Sequence, residues 1–137
     1  MRIIAGKFKG ITLYAPTDKK IRPLKDIVRE SIFNFLSHSN KIFFQIEQAN
    51  VLDLYSGTGS FGLECLSRQA NKVIFVEKEK EAIKILKKNI EKLKRKDETK
   101  IFFDDVFNVI KKHDKTLFSW LPDLKLDLIF CDPSFNS

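Results

Sequence analysis

The chain has 137 residues, 43% apolar and 31% charged, with a formal net charge of +7. That is the composition of one soluble globular domain, able to bury roughly two-thirds of its unfolded surface. No apolar run approaches the ~20 residues that a bilayer requires, MRIIAGKFKG lacks the h-region of a signal peptide, and Cys65 and Cys131 form no metal or redox spacing. A membrane protein, a secreted disulfide scaffold and a zinc module are excluded on these grounds, and the cytosol is the expected compartment.

Residues Arg2–Ala5 and Ile11–Tyr14 are predicted as two short strands of a hairpin around Gly6–Gly10. A basic loop with Pro16 and Pro23 follows. Residues 26–37 are predicted as a helix with Val28, Ile32, Phe35 and Leu36 at helical spacing. Residues 1–50 carry a net charge of +5, with Arg2, Lys7, Lys9, Lys19, Lys20, Arg22, Lys25 and Arg29 set against Asp18 and Asp26 over residues 1–29. A basic stretch of this kind suits nucleic-acid phosphates.

From Asn50 onward, strand and helix alternate. Strands are expected at Asn50–Leu54, Lys72–Val76, Lys100–Phe103 and Asp127–Cys131, and helices at Ser60–Arg68, Glu79–Lys94 and Val106–Lys112. Such alternation implies an α/β fold with a parallel, doubly wound sheet. The block 84–100 carries +5, but its lysines fall on the outer side of an amphipathic helix and are read as a solvated surface. His38 and His113 are isolated and are expected at the surface. The last strand, LDLIF, is apolar on both faces like a central strand, yet the sequence stops six residues after Cys131. The sheet is therefore expected to be incomplete.

Three motifs carry chemistry. In Asp53-Leu-Tyr-Ser56-Gly57-Thr58-Gly59-Ser-Phe-Gly62, glycines lie where a strand turns into a helix and the backbone can approach a ligand. Glu77 ends the next strand, placed to accept hydrogen bonds from a ribose diol. A dinucleotide and S-adenosylmethionine both fit this pattern. Asp53 favours the second, because a carboxylate there suits a methionyl ammonium and repels a pyrophosphate; its other reading is a cap. Asp104-Asp105 ends the third strand, either to accept from an adenine amino group or to cap the following helix. Asp132-Pro133-Ser134-Phe135 ends the fourth. A carboxylate and neighbouring carbonyls there can accept amino protons of an extruded base, while Phe135 stacks on it. All three motifs lie at carboxyl ends of strands and are expected to line one crevice.

The stretches MRIIAGKFKG, IRPLKDIVRESIFNFL, VLDLYSGTGSFGLECLSRQA, VIFVEKEKEAIKILKKNI and LDLIFCDPSF, in that order, resemble the 16S ribosomal RNA guanine-N2 methyltransferases. The resemblance spans nearly the whole chain. It implies a Rossmann-like methyltransferase domain over residues 50–137, preceded by a basic RNA-binding extension over 1–49. S-adenosylmethionine is then the donor and a guanine 2-amino group of small-subunit rRNA the acceptor, in the subunit or an assembly intermediate, with the protein a monomer. By the resemblance, Asp53 and Ser56, Gly57, Thr58 and Gly59 hold the methionine part, Glu77 the ribose and Asp105 the adenine. Asp132, Pro133, Ser134 and Phe135 match the catalytic motif, with Ser134 in place of the family's second proline. Arg2, Lys7, Lys9, Arg22, Lys25 and Arg29 would contact rRNA. The family continues for roughly a third of its length beyond Ser137. A dinucleotide-dependent oxidoreductase, a DNA adenine methyltransferase and a non-catalytic RNA-binding fragment are the competing readings.

Overall fold

The computed structural model describes residues 1–17, 24–112, 119–121 and 125–133. Its centre is a four-stranded sheet of β1 (Asn50–Leu54), β2 (Lys72–Glu77), β3 (Thr99–Phe103) and β4 (Leu128–Cys131). The order is β3-β2-β1-β4, and every pair is parallel. All five residues of β1 and the last five of β2 are buried. That explains why both read as unbroken apolar runs rather than alternating ones. The connections are α2 (Ser60–Ser67), α3 (Lys80–Leu93) and α4 (Val106–Lys112), preceded by α1 (Asp26–His38). The chain runs outward from β1 to β3 and then returns to the other side of β1. This places a topological switch between the carboxyl ends of β1 and β4, where ligands of such sheets bind.

One core joins the inner faces of α1, α2 and α3 to Val51, Val73 and Phe75. A smaller one packs Val106, Val109 and Leu121 on Leu52, Leu54, Ile74 and Val76 across the sheet. Glycine is required by close approach in α2: a Cβ on Gly62 would lie 2.4 Å from the Phe75 ring. Phe61, one residue earlier, stacks between Phe33 of α1 and Phe130 of β4, with centroids at 5.0 and 3.9 Å.

Two expectations need correction. The stripe Val28, Ile32, Phe35 and Leu36 is split, with Ile32 and Leu36 packing against the main core and Val28 and Phe35 left outside it. Val28 and Phe35 are exposed, as is Ile27, and these side chains border an open groove together with Ser31. The buried residues of α1 are Arg29 and Phe33. Periodicity marks an apolar stripe but not the direction it faces. The direction is set here by the Phe33–Phe61 stack and by Arg68, which lies 4.2 Å over the Phe33 ring.

The N-terminal arm is also not a pair of regular strands. It has a single antiparallel bridge, Arg2 with Thr12, held by Ile3 N to Ile11 O, Gly10 N to Ile3 O and Leu13 N to Met1 O. Four further amides are committed to α2. Ile4 N and Ala5 N donate to the Glu64 carboxylate, at 2.9 and 3.0 Å, Lys7 N donates to Ser67 O and Phe8 N to Ser67 Oγ. A hairpin ladder cannot extend once its donors are bound to α2. Gly6 sits at φ +85° against α2, where any Cβ would collide with the Ser67 carbonyl.

Burial, with Asp53 and Glu64 nearby, pushes the Cys65 thiol well above its ordinary 9.0, whereas Cys131 is exposed at the end of β4. A thiol reagent in native buffer is expected to modify Cys131 alone, with Cys65 reacting only in denaturant. Rapid modification of both in native buffer would show that α2 does not pack as described.

Candidate active site

The turn after β1 is built from the backbone outward. Gly57 and Gly59 have φ of +58° and +92°, and Gly59 caps α2. A left-handed residue at both positions folds the chain back toward the sheet at little steric cost. Ser56 N donates to Val76 O and Gly59 N to Ser56 O, each at 3.0 Å. The turn is tied to β2 by Glu77, whose Oε1 accepts from Gly57 N at 2.9 Å. Its Oε2 accepts from Lys78 N and Glu79 N at the start of α3.

The Asp53 carboxyl is 1% exposed and its Oδ2 accepts from Gly62 N at 3.0 Å. Removal from water pushes it up from 3.8 to about 8; Glu77 and Asp132 add to the rise, and the Gly62 amide opposes it. The carboxylates of β1, β2 and β4 therefore share one electrostatic neighbourhood. β3 joins them through Asp104 N, which donates to Glu77 O at 3.0 Å. Asp105 caps α4, its Oδ1 accepting from Phe107 N at 2.8 Å. This is the capping arrangement that its position at a strand end allowed, and it does not preclude a ligand role. Asp132 and Pro133 are exposed just beyond β4. Ser134, Phe135, Arg22 and His113 lie outside the described residues.

Several features suit a polar ligand in this turn. Ser56 Oγ and Thr58 Oγ1 are buried without a hydrogen-bond partner among the described residues. A Cβ on Gly57 would meet nothing within 4 Å, so there is room beside the turn. Buried hydroxyls normally find partners.

Of the basic residues assigned to RNA, Arg2, Lys7, Lys9 and Lys25 are exposed. Arg29 is not: it is fully buried, and its guanidinium donates to Asp26, to Arg2 O and to Ser60 O, with Glu64 beside it at 3.7 Å. Burial pulls its pKa below that of a free guanidinium, with Glu64 and Asp26 opposing. The assignment of Arg29 to RNA is therefore withdrawn, since the guanidinium is enclosed by carboxylates and carbonyls and offers no face to a phosphate.

Two structural residues escaped the sequence reading. Glu64 is a carboxylate inside an otherwise apolar turn of α2. Asn89 lies on the stripe Ala82, Leu86, Leu93 of α3 and is buried with it. A polar residue on a buried stripe was the available signal in both cases. The basic block of α3 also does more than face solvent. Lys92 Nζ donates to Thr12 O and lies 5.0 Å over the Tyr14 ring, and Arg95 lies 4.8 Å over Phe8.

The sheet order, the glycine turn and the acidic strand ends define a Rossmann-like methyltransferase fold, and solved structures share it. The chain superposes on yhhF from Escherichia coli with a TM-score of 0.68 at 30% identity, covering 80% of this chain and 55% of that one. It superposes on the C-terminal domain of precorrin-6Y C5,15-methyltransferase from Rhodobacter capsulatus with a TM-score of 0.55, at 15% identity, over 66% of this chain and 45% of that one. The chain belongs to the family described as "Conserved hypothetical protein 95", whose model matches residues 1–137. It is 34% identical to the ribosomal RNA small subunit methyltransferase D of Haemophilus influenzae, over 99% of this chain and 64% of that protein. It thus spans under two-thirds of that relative's length.

The Asp53 titration gives a stability test. The unfolded chain loses this proton near 3.8 and the folded chain near 8, so the folded state holds an extra proton in between. The contribution is fully present below about pH 4 and is lost as pH rises toward about 8. Urea midpoints measured across this window should fall with rising pH. Asp53→Asn, which retains an acceptor for Gly62 N and cannot ionise, should flatten the fall; an unchanged slope in the variant would assign it to other groups.

Proposed function

We propose that this chain binds S-adenosylmethionine at the glycine turn and methylates the 2-amino group of a guanine in 16S rRNA, as an enzyme acting on the small ribosomal subunit or its assembly intermediate. The observation that carries this reading is the convergence of Asp53, Glu77, Asp105 and Asp132 at the ends of four parallel strands around Gly57–Gly59. The name of the Haemophilus relative supports an rRNA substrate.

Asp53 would hold the methionyl ammonium, and the Ser56 and Thr58 hydroxyls, beside Gly57 and Gly59, the rest of the methionine part. Glu77 would hold the ribose and Asp105 the adenine. The bound donor supplies a methyl group made electrophilic by its sulfonium. The chain's own task is mainly positioning. A guanine 2-amino nitrogen is a poor nucleophile because its lone pair is delocalised into the ring. Asp132 and the carbonyls beside it would accept the amino protons and localise that pair. Pro133 fixes the backbone that follows Asp132, Ser134 contributes its carbonyl, and Phe135 stacks on the base. Arg2, Lys7, Lys9, Arg22 and Lys25 would hold phosphates. A dinucleotide is disfavoured because its pyrophosphate would face the same acidic cluster.

Radiolabelled methyl transfer to an unmodified small-subunit rRNA transcript tests the reading. The chain should transfer methyl groups to guanine N2. Asp132→Ala should lose activity by about 100-fold or more while keeping its affinity for S-adenosylhomocysteine within a few-fold. Loss of that affinity in the same variant would overturn the division of labour, and binding of NADH in its place would overturn the reading itself.

A second test uses Asp53. At neutral pH the ligand-free carboxyl is protonated, since its proton leaves near 8. An ammonium placed against it favours the carboxylate, so binding should expel about one proton. Calorimetry in buffers of different ionisation enthalpy should detect that proton, and affinity should rise with pH toward about 8, by at most about tenfold per unit. In Asp53→Asn the proton should not appear. Its persistence would place the titrating group elsewhere.

A further inference from the structure

Asn89 joins two parts of the molecule that the proposed reaction uses separately. It lies on α3, far in sequence from both, and its side chain is fully buried. Its Oδ1 accepts from Tyr14 N at 2.7 Å, and its Nδ2 donates to Tyr14 O at 3.1 Å and to Thr58 O at 3.0 Å. Both amide protons are therefore committed, one to the end of the basic arm and one to the carbonyl between Gly57 and Gly59.

The rest of the arm is anchored at its other end. Ile4 N and Ala5 N are held by Glu64, and Ser67 Oγ accepts from Phe8 N and donates to Ala5 O at 2.6 Å. Arg29 spans the same region, donating to Arg2 O and to Ser60 O at the first turn of α2. The arm is thus fastened to both flanks of the glycine turn. The turn itself has unfinished bonding, in the hydroxyls of Ser56 and Thr58 and the open side of Gly57. A ligand that engages the turn fixes Thr58, and through Asn89 it fixes Tyr14.

We infer that Asn89 is a positioning residue that couples donor occupancy of the glycine turn to RNA binding by the N-terminal arm, each strengthening the other. This rests on the donor and RNA roles proposed above. Coupling of this kind is reciprocal: the factor by which one ligand tightens the other is the same in both directions. Ordering of a shared segment is sufficient to produce it, without a large change of shape.

The test is a double titration of the full chain with S-adenosylhomocysteine and an unmodified small-subunit rRNA transcript, each measured with and without the other. The expected result is a common tightening factor of at least about fivefold, in the range usual for coupled sites. Asn89→Asp keeps the acceptor for Tyr14 N and loses both donations. It should bring the factor close to one while each ligand still binds alone. A merely structural asparagine would weaken binding or stability without changing that ratio. Hydrogen exchange at the Tyr14 amide in the unsubstituted chain provides a measure that needs no variant, and its protection should rise when S-adenosylhomocysteine binds. A factor of one in the unsubstituted chain, a factor unchanged in Asn89→Asp, or an unmoved Tyr14 amide would each overturn the coupling and leave the donor site standing. Failure of S-adenosylhomocysteine to bind at all would overturn the donor site and the coupling with it.

Discussion

The buried carboxylate of Glu64 is the interaction on which the N-terminal third depends. It has no exposure to water, yet it sits where three segments meet. Its oxygens accept two amides of the arm and the Arg68 guanidinium, with Arg29 of α1 alongside. A charge in that position is tolerable only because every neighbour is a donor. Removing one partner of a buried pair typically costs about 3–5 kcal/mol, because the other charge is left stranded. Arm, α1 and α2 are thereby fixed as one unit around the end of the glycine turn. A hydrophobic residue of similar size could fill the space but could not hold two backbone amides at defined positions.

Charge is divided in a way that suits two different ligands. The crevice at the carboxyl ends is acidic and partly buried, with Glu77 and Asp132 raising the affinity of Asp53 for a proton. The arm carries exposed Arg2, Lys7 and Lys9, and Lys92 of α3 and Arg95 just beyond it lie against the arm's own Thr12, Tyr14 and Phe8. An acidic crevice favours a small cation and a basic exposed arm favours a polyanion. Neither field alone separates a methyltransferase from its alternatives. Their adjacency in one domain is more selective than either.

Much of this was legible in the sequence because parallel strands buried on both faces leave continuous apolar runs. NVLDL, KVIFV and the DLIFC segment needed no tertiary information, and the glycines marked where the first run turned into a helix. Acidic residues at the ends of those runs followed from the same reading. What escaped detection depended on partners distant in the chain. Arg29 resembles its basic neighbours until Glu64 and the Ser60 and Arg2 carbonyls enclose it. The apolar stripe of α1 has the right period but is only half covered, Ile32 and Leu36 packing on the core while Val28 and Phe35 stay exposed beside the Phe33–Phe61 stack. The arm has the alternation of a hairpin, but its amides found acceptors on α2. In each case local pattern was overruled by a contact some thirty to sixty residues away.

The column of Phe33, Phe61 and Phe130 has a consequence for how the chain reaches its structure. Its outer rings belong to α1 and β4, 97 residues apart in the chain, and the middle ring belongs to α2. Such a stack cannot close until the intervening strands have found their order. Contacts between remote segments are the slow part of folding, since the loop between them must lose its freedom before any contact rewards it. Phe130, the outer ring on β4, is two residues from Asp132. The strand that ends in Asp132 is therefore also the one that supplies the outer ring of the column, so that closing the aromatic stack and assembling the acidic crevice depend on the same strand.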